Sequence, residues 1–262
     1  MERIGSLVRF VGPADSVIVY ARPSSSETAQ LIRDQVAALS GAGRSIEWKI
    51  YSHDGLEELS RLLAEHGFQA KPHETLLALD LRSIRPPRAP PPGLEIRRAE
   101  SSAAVTDYAQ VDHEVFPQGD PDRATRWAEK SALLEGGLYV AYLDRRPVGV
   151  GRVEIEPDRP FASLFGGGTL REFRGRGIYL ELVRARAEFA REQGGQYLLV
   201  EAVDTTSRPI LEKLGFTALA GVEAWTLGPG SAPGRSDQGP PADRADPAPS
   251  RAGPSASDAS PP

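Results

Sequence analysis

Three arginines and two glycines crowd into seven residues, Arg171-Glu172-Phe173-Arg174-Gly175-Arg176-Gly177, directly ahead of a helical pattern. An apolar run from Phe161 to Leu170 precedes them and reads as a strand. After them Ile178, Leu182, Ala185 and Phe189 recur at steps of four, three and four, one face of an amphipathic helix over 178–193. A strand, a glycine-bearing loop and a helix start present unpaired backbone N–H groups at the positive end of a helix dipole, an arrangement suited to a pyrophosphate. Gly175 and Gly177 let the backbone come close, and Arg171, Arg174 and Arg176 add charge. Each dipole interaction contributes roughly 0.3–1 kcal/mol, so several donors must act together. The bland alternative is a surface turn with arginines for solubility.

Other phosphate loops fail on spacing. A P-loop requires Lys-Ser or Lys-Thr after its last glycine, and Ile178-Tyr179 stands there. A dinucleotide fingerprint requires a third glycine, but Leu180 follows Gly175-x-Gly177 and Arg171 follows Gly166-x-Gly168. The three glycines 166–168 inside the preceding strand instead mark a bulge or a close approach of backbone to another molecule.

The elements that must position this loop follow from periodicity. Leu94 to Arg97 alternates as a strand, and Val105, Tyr108, Val111 and Val115 lie at helical spacing over 101–116. Asp120-Pro121-Asp122 opens a second helix running to about Leu134, which Gly136-Gly137 breaks. Leu138 to Leu143 and Val148 to Ile155 form a hairpin across Asp144-Arg145-Arg146-Pro147. Beyond the 178–193 helix, Gly194-Gly195 stops it, Gln196 to Val203 is a strand, and Ser207 to Leu214 is a short helix ending in Leu214-Gly215-Phe216.

This order of elements resembles the GNAT superfamily of N-acetyltransferases. The acetyl-CoA loop of that family, Gln/Arg-x-x-Gly-x-Gly/Ala, falls on Glu172-Phe173-Arg174-Gly175-Arg176-Gly177, with Glu172 departing at the first position, and Leu214-Gly215-Phe216 matches the family's Leu-Gly-Phe ending. The resemblance covers residues 94–227. It implies a mixed, mostly antiparallel sheet flanked by helices (α+β), and acetyl-CoA as cosubstrate. The backbone at Thr169 and Leu170 would pair with the pantetheine amides. Arg171, Arg174, Gly175, Arg176 and Gly177 would hold the pyrophosphate, with Ile178 and Tyr179 against the pantetheine. The acetyl group would lie in a gap where the strand before the loop parts from the strand after it.

The implied reaction is attack of a primary amine, on a small molecule or a peptide, at the thioester carbon. Many relatives carry an acid tyrosine at the position of Leu211, and leucine donates no proton. Tyr197 and Tyr179 are the tyrosines left near the cleft, Tyr197 being the candidate acid. For the base, the strand from Phe161 has no carboxylate, leaving Glu154 and Glu156 before it and Glu201 or Asp204 after it; Glu154 and Glu201 lead. An exposed polar face explains the same carboxylates. Asp112, His113, Glu114, Phe116, Asp122 and Trp127 would wall the acceptor pocket and favour a cationic amine. His53, His66, His73 and His113 lack zinc-like spacing, so no metal is expected.

A worn copy of the same order precedes this unit. Val17 to Ala21, Ser26 to Leu39, Ile46 to Tyr51 and Leu56 to Glu65 alternate strand and helix, and Gly67-Phe68 follows. Where the loop would stand is Ala21-Arg22-Pro23-Ser24-Ser25-Ser26, which has a proline and no glycine and would not cradle CoA. The reading is a degenerate GNAT-like domain over 1–84, completing the acceptor cleft or a homodimer, with a generic α/β domain as the alternative. Residues 85–93 carry five prolines and read as a stiff linker, 94–228 as the acetyltransferase domain, and 229–262 as a disordered tail poor in large apolar residues.

Composition bounds the rest. The chain has 262 residues, no cysteine and a formal charge of -5, with a pI near 5.5. No electrostatic footprint for nucleic acid follows, and disulfides and thiolate chemistry are excluded. No apolar run approaches the roughly 20 residues of a membrane span, and the first residues do not read as a secretory signal, so a cytoplasmic protein is expected. Arginine far outnumbers lysine, which suits a GC-rich bacterial source. An acyl-CoA-binding regulatory module without turnover is the alternative from another class, and a nucleotide-binding regulator a third.

Overall fold

The computed structural model describes residues 1–12, 15–21, 27–40, 43–54, 57–84, 90–117, 126, 136–156 and 160–229. The first half runs β1 (Glu2–Ile4), β2 (Leu7–Val11), β3 (Asp15–Ala21), α1 (Thr28–Ser40), β4 (Ser45–Tyr51), α2 (Glu57–Glu65), β5 (Gln69–Ala70) and β6 (Glu74–Asp80). The second runs β7 (Leu94–Arg98), α3 (Ser102–Val115), β8 (Gly136–Leu143), β9 (Arg146–Ile155), β10 (Phe161–Thr169), α4 (Ile178–Glu192), β11 (Tyr197–Val203), α5 (Arg208–Leu214) and β12 (Thr217–Leu227). The expected helix over 120–134, with Asp122 and Trp127, lies outside the described residues apart from Arg126, as do the 22–26 loop, most of the 85–93 linker and nearly all of the tail.

The twelve strands among the described residues join one mixed sheet, in the order β1-β2-β3-β4-β12-β6-β11-β10-β9-β8-β7, with β5 beside β12. The pairs β3–β4 and β10–β11 are parallel and the other described pairs antiparallel, so the largely antiparallel sheet flanked by helices is as expected. The sheet runs unbroken across the two halves because each half lends the other a strand. β6 lies between β11 and β12, and β12 lies between β4 and β6. Registers match about the pair Glu74↔Val222. Tyr51 faces Val222 as Val203 faces Glu74, and Lys49 faces Ala224 as Glu201 faces Leu76. Residues 15–80 thus repeat the strand and helix order of 161–227 about a local twofold.

Both repeats end their second helix alike. Gly67 and Gly215 take left-handed φ values of 85° and 104°, which glycine adopts without steric cost, and the next N–H returns to a helical carbonyl, Phe68 to Leu63 and Phe216 to Leu211. The turn drops Phe68 and Phe216 into the core, where both are nearly fully buried, and so gives a glycine-phenylalanine pair its physical meaning.

α4 and α5 cover one face of the sheet over Leu77, Leu79, Val153, Leu164, Leu198 and Val200, and α1 and α2 continue that layer over Ile46, Trp48 and Ile50. α3 lies on the other face, over Leu138, Val140 and Val150, capped by Ser101, which accepts the Ala104 N–H at 3.2 Å. The β8–β9 turn is tighter than the sequence suggests. Asp144 and Arg145 both adopt positive φ, 49° and 69°, a two-residue hairpin loop, so β9 starts at Arg146. Gly136 and Gly137 belong to β8, which starts two residues ahead of the expected Leu138.

Candidate active site

The parallel ladder between β10 and β11 holds Phe161↔Tyr197, Ala162↔Leu198 and Ser163↔Leu199, and beyond it the strands part. On its other side β10 stays paired with β9, but the register slips between Phe165 and Gly168, placing a bulge in the triple glycine. The Phe161 carbonyl accepts the Glu156 N–H and the Leu170 N–H goes to the Val148 carbonyl. Alternation on either side of the bulge therefore turns the backbone groups of Leu164, Gly167 and Thr169 toward the gap. A gap edged by free strand backbone can pair with an extended amide-bearing chain as another strand would.

The gap leads into the arginine loop. Arg171–Phe173 makes one 3-10 turn, and Gly175 and Gly177 take φ values of 77° and 83° before α4 begins. A side chain at either glycine would be strained, yet a Cβ there would meet nothing within 4 Å, so the space over the loop is open. The first bond into the helix is from the Glu181 N–H to the Gly177 carbonyl at 3.2 Å, which leaves the preceding N–H groups pointing outward. Arg171, Arg174 and Arg176 are exposed around them; Arg174 Nε also donates to the Thr169 carbonyl at 3.0 Å, and Arg176 lies 5.3 Å from the Phe173 ring centre. Glu172, the departure in the motif, is drawn off by Arg146 at 2.9 Å. Thr169 Oγ1 is buried without a hydrogen-bond partner beside the gap. Open N–H groups, flanking cations and an orphaned hydroxyl suit an anionic ligand with an amide-bearing arm. Ile178 gives its side chain to the core against Gly149, leaving its backbone to the loop, while the Tyr179 ring lies under Gly167.

Glu154 and Glu201 lie on one face of the sheet, the face that carries α3, Glu154 through Ser163 and Glu201 through Leu199. Glu154 pairs with Arg152 at 3.0 Å, whose guanidinium sits 4.5 Å from the Phe165 ring centre. Glu201 stands just past the last rung of the ladder, at the rim of the gap, and residues of the first half hold it. Lys49 Nζ pairs with one of its carboxylate oxygens, and Tyr51 Oη donates to the other at 2.7 Å. Lys49 stands opposite Ala224 and Glu201 opposite Leu76, which faces Ala220, so the two side chains reach each other over the exchanged strands.

Burial alone would lower Lys49, but the carboxylates of Glu201 and Glu47 outweigh it and hold its ammonium above the ordinary lysine value. Burial, with the Glu201 charge, pushes Tyr51 strongly up. Glu74 lies diagonally beside Glu201; burial pushes its carboxyl up, the Glu201 charge adding to this and Lys49 opposing it. Lys49, Tyr51 and Glu74 escape sequence reasoning because they belong to the other half, more than a hundred residues from Glu201. Alternation along Glu74-Thr75-Leu76-Leu77-Ala78 is the one local signal for Glu74.

Other sequence candidates fall elsewhere. Tyr197 is at the closed end of the ladder, paired with Asp80 and 5.8 Å from the Phe161 ring. Asp204 accepts from Thr75 at 2.5 Å, His73 at 2.7 Å and Arg208 at 3.3 Å, and these bonds hold it below the ordinary aspartate range. Asp112 is buried on α3, and Glu114 and His113 are exposed. Among the described residues no group of three or more His, Asp or Glu side chains is arranged to hold a metal.

Leu211 faces the core with Leu214 and Phe216 and is fully buried. Leu211→Tyr is therefore expected to overpack α5, costing about 1–3 kcal/mol in urea unfolding, and to raise no catalytic rate.

Residues 102–216 match the family model described as acetyltransferase (GNAT) family. The fold is shared with a GCN5-related N-acetyltransferase from Kribbella flavida, 18% identical with a TM-score of 0.60 over 83% of this chain and 82% of that one. A GCN5-related N-acetyltransferase from Sphaerobacter thermophilus is 17% identical, TM-score 0.60, over 85% and 76%. A tandem GNAT protein from the clavulanic acid biosynthesis pathway is 14% identical, TM-score 0.57, over 84% and 77%. A search of the curated proteins gave no match. These likenesses extend over both halves of the sheet and show a shared fold, and residues 102–216 carry the segment similar to the GNAT acetyltransferase family.

Proposed function

We propose that the chain is a cytoplasmic N-acetyltransferase that moves the acetyl group of acetyl-CoA to a primary amine by direct attack. The observation that carries this is the gap between β10 and β11, edged by the backbone of Leu164, Gly167 and Thr169 and running into the open N–H groups at Gly175 and Gly177. The backbone of Leu164, Gly167 and Thr169 takes the pantetheine amides, whereas Leu170 spends its N–H on Val148 and its carbonyl on Phe173 and takes no part. Arg171, Arg174 and Arg176, with the backbone of Gly175, Gly177 and Ile178, take the pyrophosphate, and Tyr179 lies behind the arm. The amine approaches from the α3 face, where Glu201, Glu154 and Glu74 favour a cation. Glu201 accepts the proton that frees the ammonium as an amine, the nitrogen bonds to the thioester carbon, the C–S bond breaks to release CoA as thiolate, and the second N–H proton passes to solvent. Tyr197 has no part at the closed end of the ladder.

We also read residues 1–84 as a degenerate GNAT-like domain, 85–93 as its linker, 94–228 as the catalytic domain and 229–262 as a tail. The matching registers about Glu74↔Val222 and the fold shared with a tandem protein support this, and Lys49 and Tyr51 give the first half its task, completion of the acceptor face.

Release of CoA thiol across a panel of primary amines, beside calorimetry with acetyl-CoA, tests the reading. Expected are acetyl-CoA binding against which ATP competes less well than CoA, turnover with at least one amine, and a fall in kcat of about 100-fold or more for Glu201→Gln with the KM for acetyl-CoA kept. Binding without thiol release from any amine would leave a CoA-binding module. No binding would overturn both.

A further inference from the structure

Arg186 is an arginine on the buried face of α4, 1% exposed, packed among Leu182, Val183, Ala187 and Ala190. Removing a guanidinium from water is expensive, and proteins do it when the group is fully bonded or serves a purpose. Arg186 is not fully bonded. Nε donates to the Leu182 carbonyl at 2.9 Å and Nη1 to the Arg152 carbonyl at 3.1 Å, with a long contact to the Phe165 carbonyl at 3.5 Å, while Nη2 has no partner.

Two glycines make room for it. A Cβ at Gly151 would lie 2.5 Å from Nη1, and one at Gly167 would lie 3.2 Å from Nη2 and 3.0 Å from the Tyr179 ring. The group therefore sits directly behind the bulge of β10. The carbonyls it meets, Arg152 and Phe165, belong to the rung where the ladder breaks, and its free Nη2 lies behind Gly167, whose backbone edges the gap. Burial lowers its pKa, with Tyr179, Tyr108 and Tyr139 working the other way.

We propose that Arg186 is a positioning residue of the transfer step, one that holds the β10 bulge and sets a fixed positive charge behind Gly167. Resting on the acetyl-transfer reading, this gives the charge a task. Attack of the amine makes an oxyanion on the thioester carbon, and cleavage of the C–S bond leaves a thiolate; a preorganised cation in a dry site stabilises both. With Leu211 in place of an acid, the thiolate departs unprotonated and takes its proton from solvent.

Arg186→Lys keeps the charge without the planar fork, and Arg186→Gln keeps two donors without the charge. We expect R186Q to lose about 100-fold in kcat while its Kd for acetyl-CoA stays within about threefold, and R186K to keep at least about a tenth of the wild-type kcat. The proposal falls if R186Q turns over like wild type, if R186K is as slow as a folded R186Q, or if R186Q loses acetyl-CoA affinity in step with rate. Should R186Q fail to fold, R186K decides alone, and a loss beyond about tenfold overturns the proposal. Wild-type turnover, measured alongside, separates this failure from failure of the acetyl-transfer reading itself.

Discussion

Gly175→Trp is expected to weaken acetyl-CoA binding at least about 100-fold by calorimetry while leaving the chain folded. The backbone at Gly175 has φ 77°, so any side chain costs about 1–2 kcal/mol there, but a Cβ meets nothing within 4 Å and need not disturb packing. An indole at that point covers the N–H groups at the start of α4 and fills the space between Arg174 and Arg176. Several donors are lost together, and at roughly 1.4 kcal/mol per tenfold about 3 kcal/mol gives the stated effect. Gly194→Trp supplies the control, because Gly194 also has a positive φ, 87°, with nothing within 4 Å, yet lies at the far end of α4. The two variants should lose similar stability, and G194W should bind as wild type. Equal binding by both would place the pyrophosphate elsewhere.

The loop was legible because its signals are local: glycine spacing, an apolar run before it and helical periodicity after it all lie within 161–193. The same locality made Leu214-Gly215-Phe216 and Gly67-Phe68 readable as helix endings. What escaped was the pairing of remote segments. Nothing in Glu74–Asp80 or Thr217–Leu227 announces that each strand crosses into the other half, since a strand's pattern records which face is apolar and not which neighbour it joins.

Arg186 was missed for a different reason. The apolar face drawn through Ile178, Leu182, Ala185 and Phe189 is rotated from the buried one, which contains Val183, Arg186, Ala187 and Ala190, because hydropathy places arginine in water. The acidic face was legible only in part. Glu154 and Glu201 share it, but the partners that set their chemistry come from strands β4 and β6 and leave no mark near either residue.

Lys49→Met should lower the free energy of unfolding by about 2–3 kcal/mol in urea titration. The Lys49 and Glu201 side chains are 16% and 18% exposed, so the loss falls somewhat below that of a fully buried pair, whose rupture costs about 3–5 kcal/mol. The cost arises because Glu201 stays behind, half-desolvated, with the Tyr51 hydroxyl as support and Glu74 beside it. A lysine held above its ordinary pKa stabilises the fold throughout the pH range below that ordinary value and loses its effect as pH rises through the shifted one. The gap between K49M and wild type should therefore persist across neutral pH and close in strongly alkaline solution. Lys49→Met with Glu201→Leu removes both charges and should recover most of the stability, as replacing an ion pair by apolar residues generally does. Activity must not follow. The double variant is expected to be folded, to bind acetyl-CoA and to transfer nothing, because the contact joining the two halves also carries the proposed proton acceptor. A double variant that turns over would remove Glu201 from the chemistry and leave the Lys49 pair a purely structural link.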